Sequence, residues 1–288
     1  MKNKLGDLLC EISGDINKYF TAKCFMTDKT EIEIFDEKED IDNLRNYCKQ
    51  NNYDIVFVKR KSNEISYIKS IDIEKSKKIV EKINTISREE RININAQIPE
   101  IIDKFKEQQY VFVYDDEIFK GIITYADLNN PSLYSYLYIL ISDFEKFLRN
   151  TIKLCFEGEE YGWLKKLSED KQKEIGGIFI SNKMKGIELS LLECTTITQL
   201  KEVLSKAKLY NKIEFYKSKD RFNSKLEKII ECRNAIMHNR NLIKDKEKYD
   251  EFYEFLYDFC IQRKEINNYY VINKGVSTFD IKRKIMNL

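Results

Sequence analysis

The chain has 288 residues, enough for two ordinary domains, and its 42% hydrophobic and 34% charged residues with only 9 glycines and 2 prolines exclude a disordered or linker-dominated protein. Fifty basic against 48 acidic residues leave a net charge of +2, so the overall field marks no nucleic-acid binder, although a small RNA site needs only a local cluster of cations. Seven scattered cysteines without C-x-x-C spacing and a single histidine argue against a zinc site and for a reduced, cytoplasmic protein whose cysteines are mostly small core residues.

The first residues, Met1 to Asp7, lack the apolar core of a signal peptide, and the most apolar stretch, 134–141, is too short to span a bilayer, so no membrane association is expected. Amphipathic spacing predicts helices over 41–50 and 97–108. Each precedes a hairpin: Ile55-Val56-Phe57-Val58, a turn at Lys61-Ser62-Asn63-Glu64 and a strand over 65–68; then Tyr110-Val111-Phe112-Val113, a turn at Asp115-Asp116-Glu117 and Gly121-Ile122-Ile123-Thr124. Each hairpin leads into another helix. Laying Asp72 on Asp127 puts Ser66 on Gly121, Lys69 on Thr124 and Ile73 on Leu128, an internal repeat of about fifty-five residues.

Asn129-Asn130-Pro131 marks the clearest boundary, and the pattern beyond it is helical. Over 135–156 apolar residues recur with helical spacing at Leu137, Leu140, Ile141, Phe144, Phe147, Leu148, Ile152 and Cys155. Glu145 and Arg149, four apart, are expected to form a surface salt bridge contributing about 0.3–0.5 kcal/mol. Further helices are expected over 164–175, 179–193, 197–208, 218–239 and 246–263, and the end reads as a tail with a short strand at Tyr269-Tyr270-Val271-Ile272. The expected division is therefore α+β: a repeat module over 1–128, an all-α bundle over 131–265 and a tail over 266–288.

The helix over 218–239 ends in Arg233-Asn234-Ala235-Ile236-Met237-His238, which holds the only histidine. At about 100° per residue Asn234 and His238 are nearly in line, whereas Arg233 projects about 140° away from His238. Two copies facing each other across a two-fold axis would supply both groups to a shared cleft. The plainer alternative is structural: His238 at the negative end of the helix dipole, Arg233 paired with Glu231 or Glu227, and Asn234 as a cap.

Two resemblances extend this reading. Gly121 to Leu128, preceded by Val111-Phe112-Val113, resembles the second half of a CBS domain, and Ala22-Lys23-Cys24-Phe25-Met26-Thr27 resembles the entry segment of a first one. The resemblance implies a CBS pair, or Bateman module, that binds an adenine nucleotide, with Thr124 on phosphate and Asp127 on the ribose hydroxyls. In the first repeat Ser66 and Lys69 depart from the pattern while Asp72 keeps it; Lys69 would meet phosphate as a point charge, or that site is degenerate.

Arg233 to His238, with Phe222, Leu226 and Ile229 before it and Arg240 and Leu242 after it, resembles the R-x-x-x-x-H motif of HEPN domains; Phe144-Glu145-Lys146-Phe147-Leu148-Arg149 is similar to the opening helix of abortive-infection-type members. The resemblance implies a homodimeric, metal-independent endoribonuclease acting in antiphage defence or growth arrest. The RNA 2′-OH would attack the adjacent phosphorus, histidine would move the proton, Arg233 would hold the phosphate and Asn234 would orient His238 or a phosphate oxygen. Arg240 stands where toxin members controlled by a nucleotidyltransferase carry tyrosine, which implies another form of control and an extra cation for the RNA backbone. The alternative from a different class is a non-catalytic RNA- or protein-binding module dimerised by the CBS pair.

Overall fold

The structure, a computed structural model, describes residues 4–75 and 78–274. Its two compact units are each assembled from separated stretches of chain. One takes Asp15–Leu133 and Ile243–Asp250; the other takes the N-terminal segment through Gly14, then Tyr134–Leu242, and the chain from Glu251 onward. This differs from a division at 128–131 in two places. The first helix, α1 (Leu5–Ser13), belongs to the helical unit, because Leu5, Leu8, Leu9 and Ile12 form one buried stripe at i, i+3, i+4 and i+7. Residues 243–250 belong to the unit that holds the strands.

That unit is a tandem repeat. The first copy runs β1 (Thr27–Asp28), β2 (Ile34–Asp36), α2 (Ile41–Asn51), β3 (Ile55–Lys59), β4 (Ile65–Lys69) and α3 (Ser70–Lys75). The second runs β5 (Asn84–Thr85), β6 (Arg91–Asn93), α4 (Ile98–Phe105), β7 (Tyr110–Asp115), β8 (Ile118–Thr124) and a 3-10 turn at Asp127–Asn129. The sheet orders are β2-β3-β4-β5 and β1-β8-β7-β6, so each copy lends its first strand to the other's sheet. Asp28 pairs with Gly121 and Thr85 with Ser66, both antiparallel, so Ser66 and Gly121 occupy equivalent places as the repeat predicts. Gly121 is dictated by this exchange: a Cβ there would stand 2.2 Å from the Thr27 carbonyl oxygen.

Alternation along the strands sorts side chains to two cores. Val56, Val58 and Ile68 face Leu44, Cys48 and Ile73 on the helical side of the first sheet. Phe57, Tyr67, Phe112, Tyr114 and Phe119 fill the opposite side, with Tyr67 and Phe112 rings 5.0 Å apart. Each such ring contributes about 1.5–3 kcal/mol by apolar burial.

The helical part comprises α5 (Pro131–Cys155), α6 (Glu169–Met184), α7 (Ile197–Lys206), α8 (Lys219–Met237) and α9 (Lys246–Lys274). Two expectations are corrected here. The helices expected over 164–175 and 179–193 are one, α6, flanked by 3-10 turns at Leu164–Lys166 and Leu191–Cys194. Gly176 and Gly177 stay helical, and the true break is Gly186 in the left-handed region at φ 73°. The strand expected at 269–272 is helix, because the buried stripe Phe259, Cys260, Gln262, Ile266 and Val271 carries α9 onward and packing overrides the β-branched and aromatic local preference. The remainder of the expected tail, 275–288, lies outside the described residues.

Candidate functional site

Ser218 starts α8, its hydroxyl accepting the Arg221 N–H at 3.2 Å, and Phe222, Leu226, Ile229, Ile230 and Ile236 are its buried stripe. The helix ends in a Schellman-type reversal. Asn239 adopts φ 50°, the Asn239 N–H donates to the Ile236 carbonyl at 3.1 Å, and the Arg240 N–H donates to that of Ala235 at 2.9 Å. His238 is the C-cap residue and its N–H donates to the Asn234 carbonyl at 3.1 Å. The side chains of His238 and Asn234 are exposed, and among the described residues none hydrogen-bonds the imidazole or the Asn234 amide. The link between Asn234 and His238 is thus through main chain, not from amide to ring.

Arg233 turns the other way. Its Nε stands 3.9 Å from Oε1 of Glu145 on α5, whose side chain is 16% exposed. Oε2 of Glu145 meets NH2 of Arg149 at 3.2 Å, and Arg149 also donates to the carbonyls of Leu192 at 3.3 Å and Thr195 at 3.1 Å. One carboxylate therefore lies between two guanidiniums. The expected Glu145–Arg149 pair exists, but it is a half-buried junction, not a surface salt bridge. The alternative partners of Arg233 are also corrected: it faces neither Glu227, which binds Lys201, nor Glu231, and takes its counter-charge from another helix. At 3.9 Å the contact is ionic, so the Arg233 side chain, 38% exposed, retains its terminal N–H groups for a further acceptor. Cys232 beside it is buried, and burial pushes its thiol up to about 12, which removes it as a nucleophile near neutral pH. The Arg240 side chain is exposed while its carbonyl accepts the Tyr134 hydroxyl at 2.7 Å.

Glu145 went unrecognised as part of this site. Its signal was an acid between Phe144 and Leu148, both fully buried, at the border of the core-facing stripe.

In the tandem-repeat unit Asp127 is bonded three times: Oδ2 accepts the Thr124 N–H at 2.7 Å and the Thr124 hydroxyl at 2.6 Å, and Oδ1 accepts the Thr27 hydroxyl at 2.9 Å. The structure brings Thr124 and Asp127 together, with the Thr124 hydroxyl donated to the carboxylate, and adds Thr27, from the exchanged strand β1. Of the carboxylate's roughly four acceptor sites these bonds leave about one, on Oδ1. In the first copy Lys69 is exposed at the end of β4 and Asp72 is half-buried in α3. Burial foremost, opposed by a hydrogen bond with Tyr67 and helped by the charges of Glu90, Asp54 and Asp72, pushes the Tyr110 phenol up. A cavity of about 150 Å³ between α2 and α3, lined by Arg45, Lys49, Asn52, Asp54, Ser70 and Glu74 among others, includes neither Lys69 nor Asp72.

No family model matches the chain, and no curated protein matches it. Similar solved structures include several described as CBS domains. A hemolysin-like protein containing a CBS domain from Oenococcus oeni PSU is 20% identical over 44% of this chain and 96% of its own, with a TM-score of 0.33. CbpB in complex with c-di-AMP is 20% identical over 49% of this chain and 95% of its own, with a TM-score of 0.35. The CBS domain of the bacterial CNNM/CorC family Mg2+ transporter, in complex with ATP, is 13% identical over 43% and 92%, with a TM-score of 0.34. The two-copy architecture described above stands on this chain's own strand order and register. Among the described residues no helix is long and apolar enough to cross a membrane.

Proposed function

We propose that the helical unit is a HEPN ribonuclease and the tandem-repeat unit a CBS pair whose adenine nucleotide ligand sets its activity. The observation that carries the ribonuclease reading is the division of labour on α8: the Glu145 carboxylate lies 3.9 Å from the inner nitrogen of Arg233 as an ionic counter-charge, while the outer N–H groups of Arg233, the Asn234 amide and the His238 ring have no bonds from described residues. A guanidinium whose terminal N–H groups are unbonded can grip a phosphate oxygen, and an unbonded imidazole is open to a proton donor.

The reaction needs no metal. His238 takes the proton of the ribose 2′-OH, the 2′-oxygen attacks the adjacent phosphorus, and the bond to the 5′-oxygen breaks as that oxygen takes a proton from water, with His238 later returning its proton to solvent. The products are a 2′,3′-cyclic phosphate and a 5′-hydroxyl. Arg233 stabilises the charge on the non-bridging oxygens, and Arg240 adds a backbone cation. Because Arg233 and His238 leave α8 in different directions, a second copy across a two-fold axis completes the cleft.

The test is cleavage of total RNA in EDTA. His238→Ala and Arg233→Ala should each lower the rate by about 10²–10⁴-fold, the range for a lost general base or charge stabiliser. Undiminished cleavage in both variants would refute the ribonuclease reading; RNA binding without cleavage in the wild type would favour the non-catalytic binding module instead. For the nucleotide, AMP, ADP or ATP at about 100 times its dissociation constant should stabilise the protein by about 2.7 kcal/mol, and Asp127→Ala should abolish the thermal shift.

A further inference from the structure

We propose that Asn129 is the positioning residue that ties the Thr124–Asp127 site to the chain leaving His238. The proposal rests on the nucleotide reading above for its ligand, but its geometry is independent of it. Asn129 closes the 3-10 turn that Asp127 opens. Its amide nitrogen donates to the carbonyls of Tyr125 (3.1 Å) and Ile243, and its Oδ1 accepts the Ile243 N–H at 2.9 Å. One side chain thus reads the main chain of Ile243 in both directions, as a neighbouring strand would. Ile243 is 1% exposed, so both of its main-chain groups need such partners.

The gripped segment is fixed a second time within the same unit. Tyr249, fully buried, donates its hydroxyl to the Ile102 carbonyl, and its ring lies 5.4 Å from that of Tyr125 and 5.9 Å from that of Phe105. Residues 243–250 are accordingly part of the tandem-repeat unit, and the chain enters it directly from Leu242. His238 lies five residues before Ile243 in the chain. Asn130, which follows Asn129, caps the start of α5 through Oδ1, which accepts the N–H groups of Ser132 at 2.9 Å and Leu133 at 3.1 Å. Hence the adjacent pair Asn129-Asn130, two and three residues after Asp127, holds the return of the motif-bearing chain with Asn129 and the start of α5 with Asn130. Any shift of the Asp127 turn, whose carboxylate is bonded to Thr124 and Thr27, moves the Asn129 amide and with it the main chain at Ile243.

The experiment is amide hydrogen exchange on the full chain, with ATP as the probe. In the wild type ATP should change exchange over 240–244 by about 5- to 150-fold, the usual span of coupling between sites. In Asn129→Ala the ATP thermal shift should persist while that change disappears. Asn129→Asp keeps the acceptor for the Ile243 N–H and loses the donor; it should give a partial response and serves if the alanine variant fails to fold. A second arm needs no ligand: Thr27→Val removes one bond from Asp127 and should alter exchange over 240–244 in the wild-type background but not beside Asn129→Ala. An ATP-stabilised protein whose exchange over 240–244 ignores ATP, or responds equally without Asn129, overturns the proposal. If no adenine nucleotide shifts the melting temperature, the nucleotide reading fails and the Thr27→Val comparison alone decides the coupling. No arm depends on RNA being cut.

Discussion

Arg233 meets Glu145 through its inner nitrogen, Nε to Oε1 at 3.9 Å, and the same carboxylate holds Arg149 through its other oxygen at 3.2 Å. Arg149 is in turn bonded to two carbonyls beside the 191–194 turn, so the anchor of Arg233 is itself anchored. The fixed Glu145 carboxylate biases where the Arg233 guanidinium sits through charge, without a hydrogen bond to its Nε.

Replacing Glu145 should therefore affect stability and site together. Glu145→Gln keeps the shape but removes the charge shared by two guanidiniums, and should cost about 1–3 kcal/mol, the range for a partner lost from a buried polar group. The midpoint of urea unfolding reports this, with an unchanged slope if the fold is intact. RNA cleavage under EDTA should drop even well below the unfolding midpoint. A variant with wild-type midpoint and wild-type cleavage would show that Glu145 does not position Arg233.

Equivalent positions in the two repeats invite opposite substitutions. Gly121→Ala sets a methyl 2.2 Å from the Thr27 carbonyl, and the obstacle is backbone of the exchanged strand, so the variant should lose about 1–3 kcal/mol, as overpacked sites do. At the paired position Ser66 is fully buried and no described group bonds its hydroxyl. Ser66→Ala should raise stability by about 1 kcal/mol by removing a desolvated hydroxyl. Thermal unfolding of the two variants settles the matter; equal shifts in one direction would contradict the strand exchange.

What could be read from residues alone followed the range of the interactions. The hairpins and the superposition of Ser66 on Gly121 were legible because alternation and turn residues act locally. The stripe of α8 was legible for the same reason, and Asn239 in the left-handed region ends that helix two residues earlier than its apolar periodicity suggests. The exchanged strands were not legible: Thr27–Asp28 and Asn84–Thr85 are two residues each, too short to show any period. Nor were the partners of Arg233 and Ile243, since Glu145 and Asn129 come from distant parts of the chain and helix spacing speaks only of neighbours three and four residues away. Helix α1 carried a readable stripe in Leu5, Leu8, Leu9 and Ile12, but its membership of the helical unit rests on packing alone.

The turn that supports Arg149 carries a pH dependence of definite sign. The Ser190 hydroxyl and N–H donate to one oxygen of Glu193 at 2.7 and 2.8 Å, and these bonds, hydroxyl first, hold its carboxyl below the ordinary value of 4.5. Glu202 is also held below that value: burial opposes ionisation there, but Lys171 and Lys206 outweigh it. The unfolded chain binds these two protons more tightly than the folded one. Both carboxylates thus add stability above the ordinary glutamate value, and the contribution fades as pH falls through the lowered folded values. The urea midpoint should fall between about pH 5 and pH 3, and amide exchange over 192–195 should quicken in step as the capping box opens. Glu193→Gln, which cannot ionise, should flatten part of that slope and leave exchange over 192–195 less sensitive to pH. Identical slopes in the wild type and Glu193→Gln would place the acid sensitivity elsewhere.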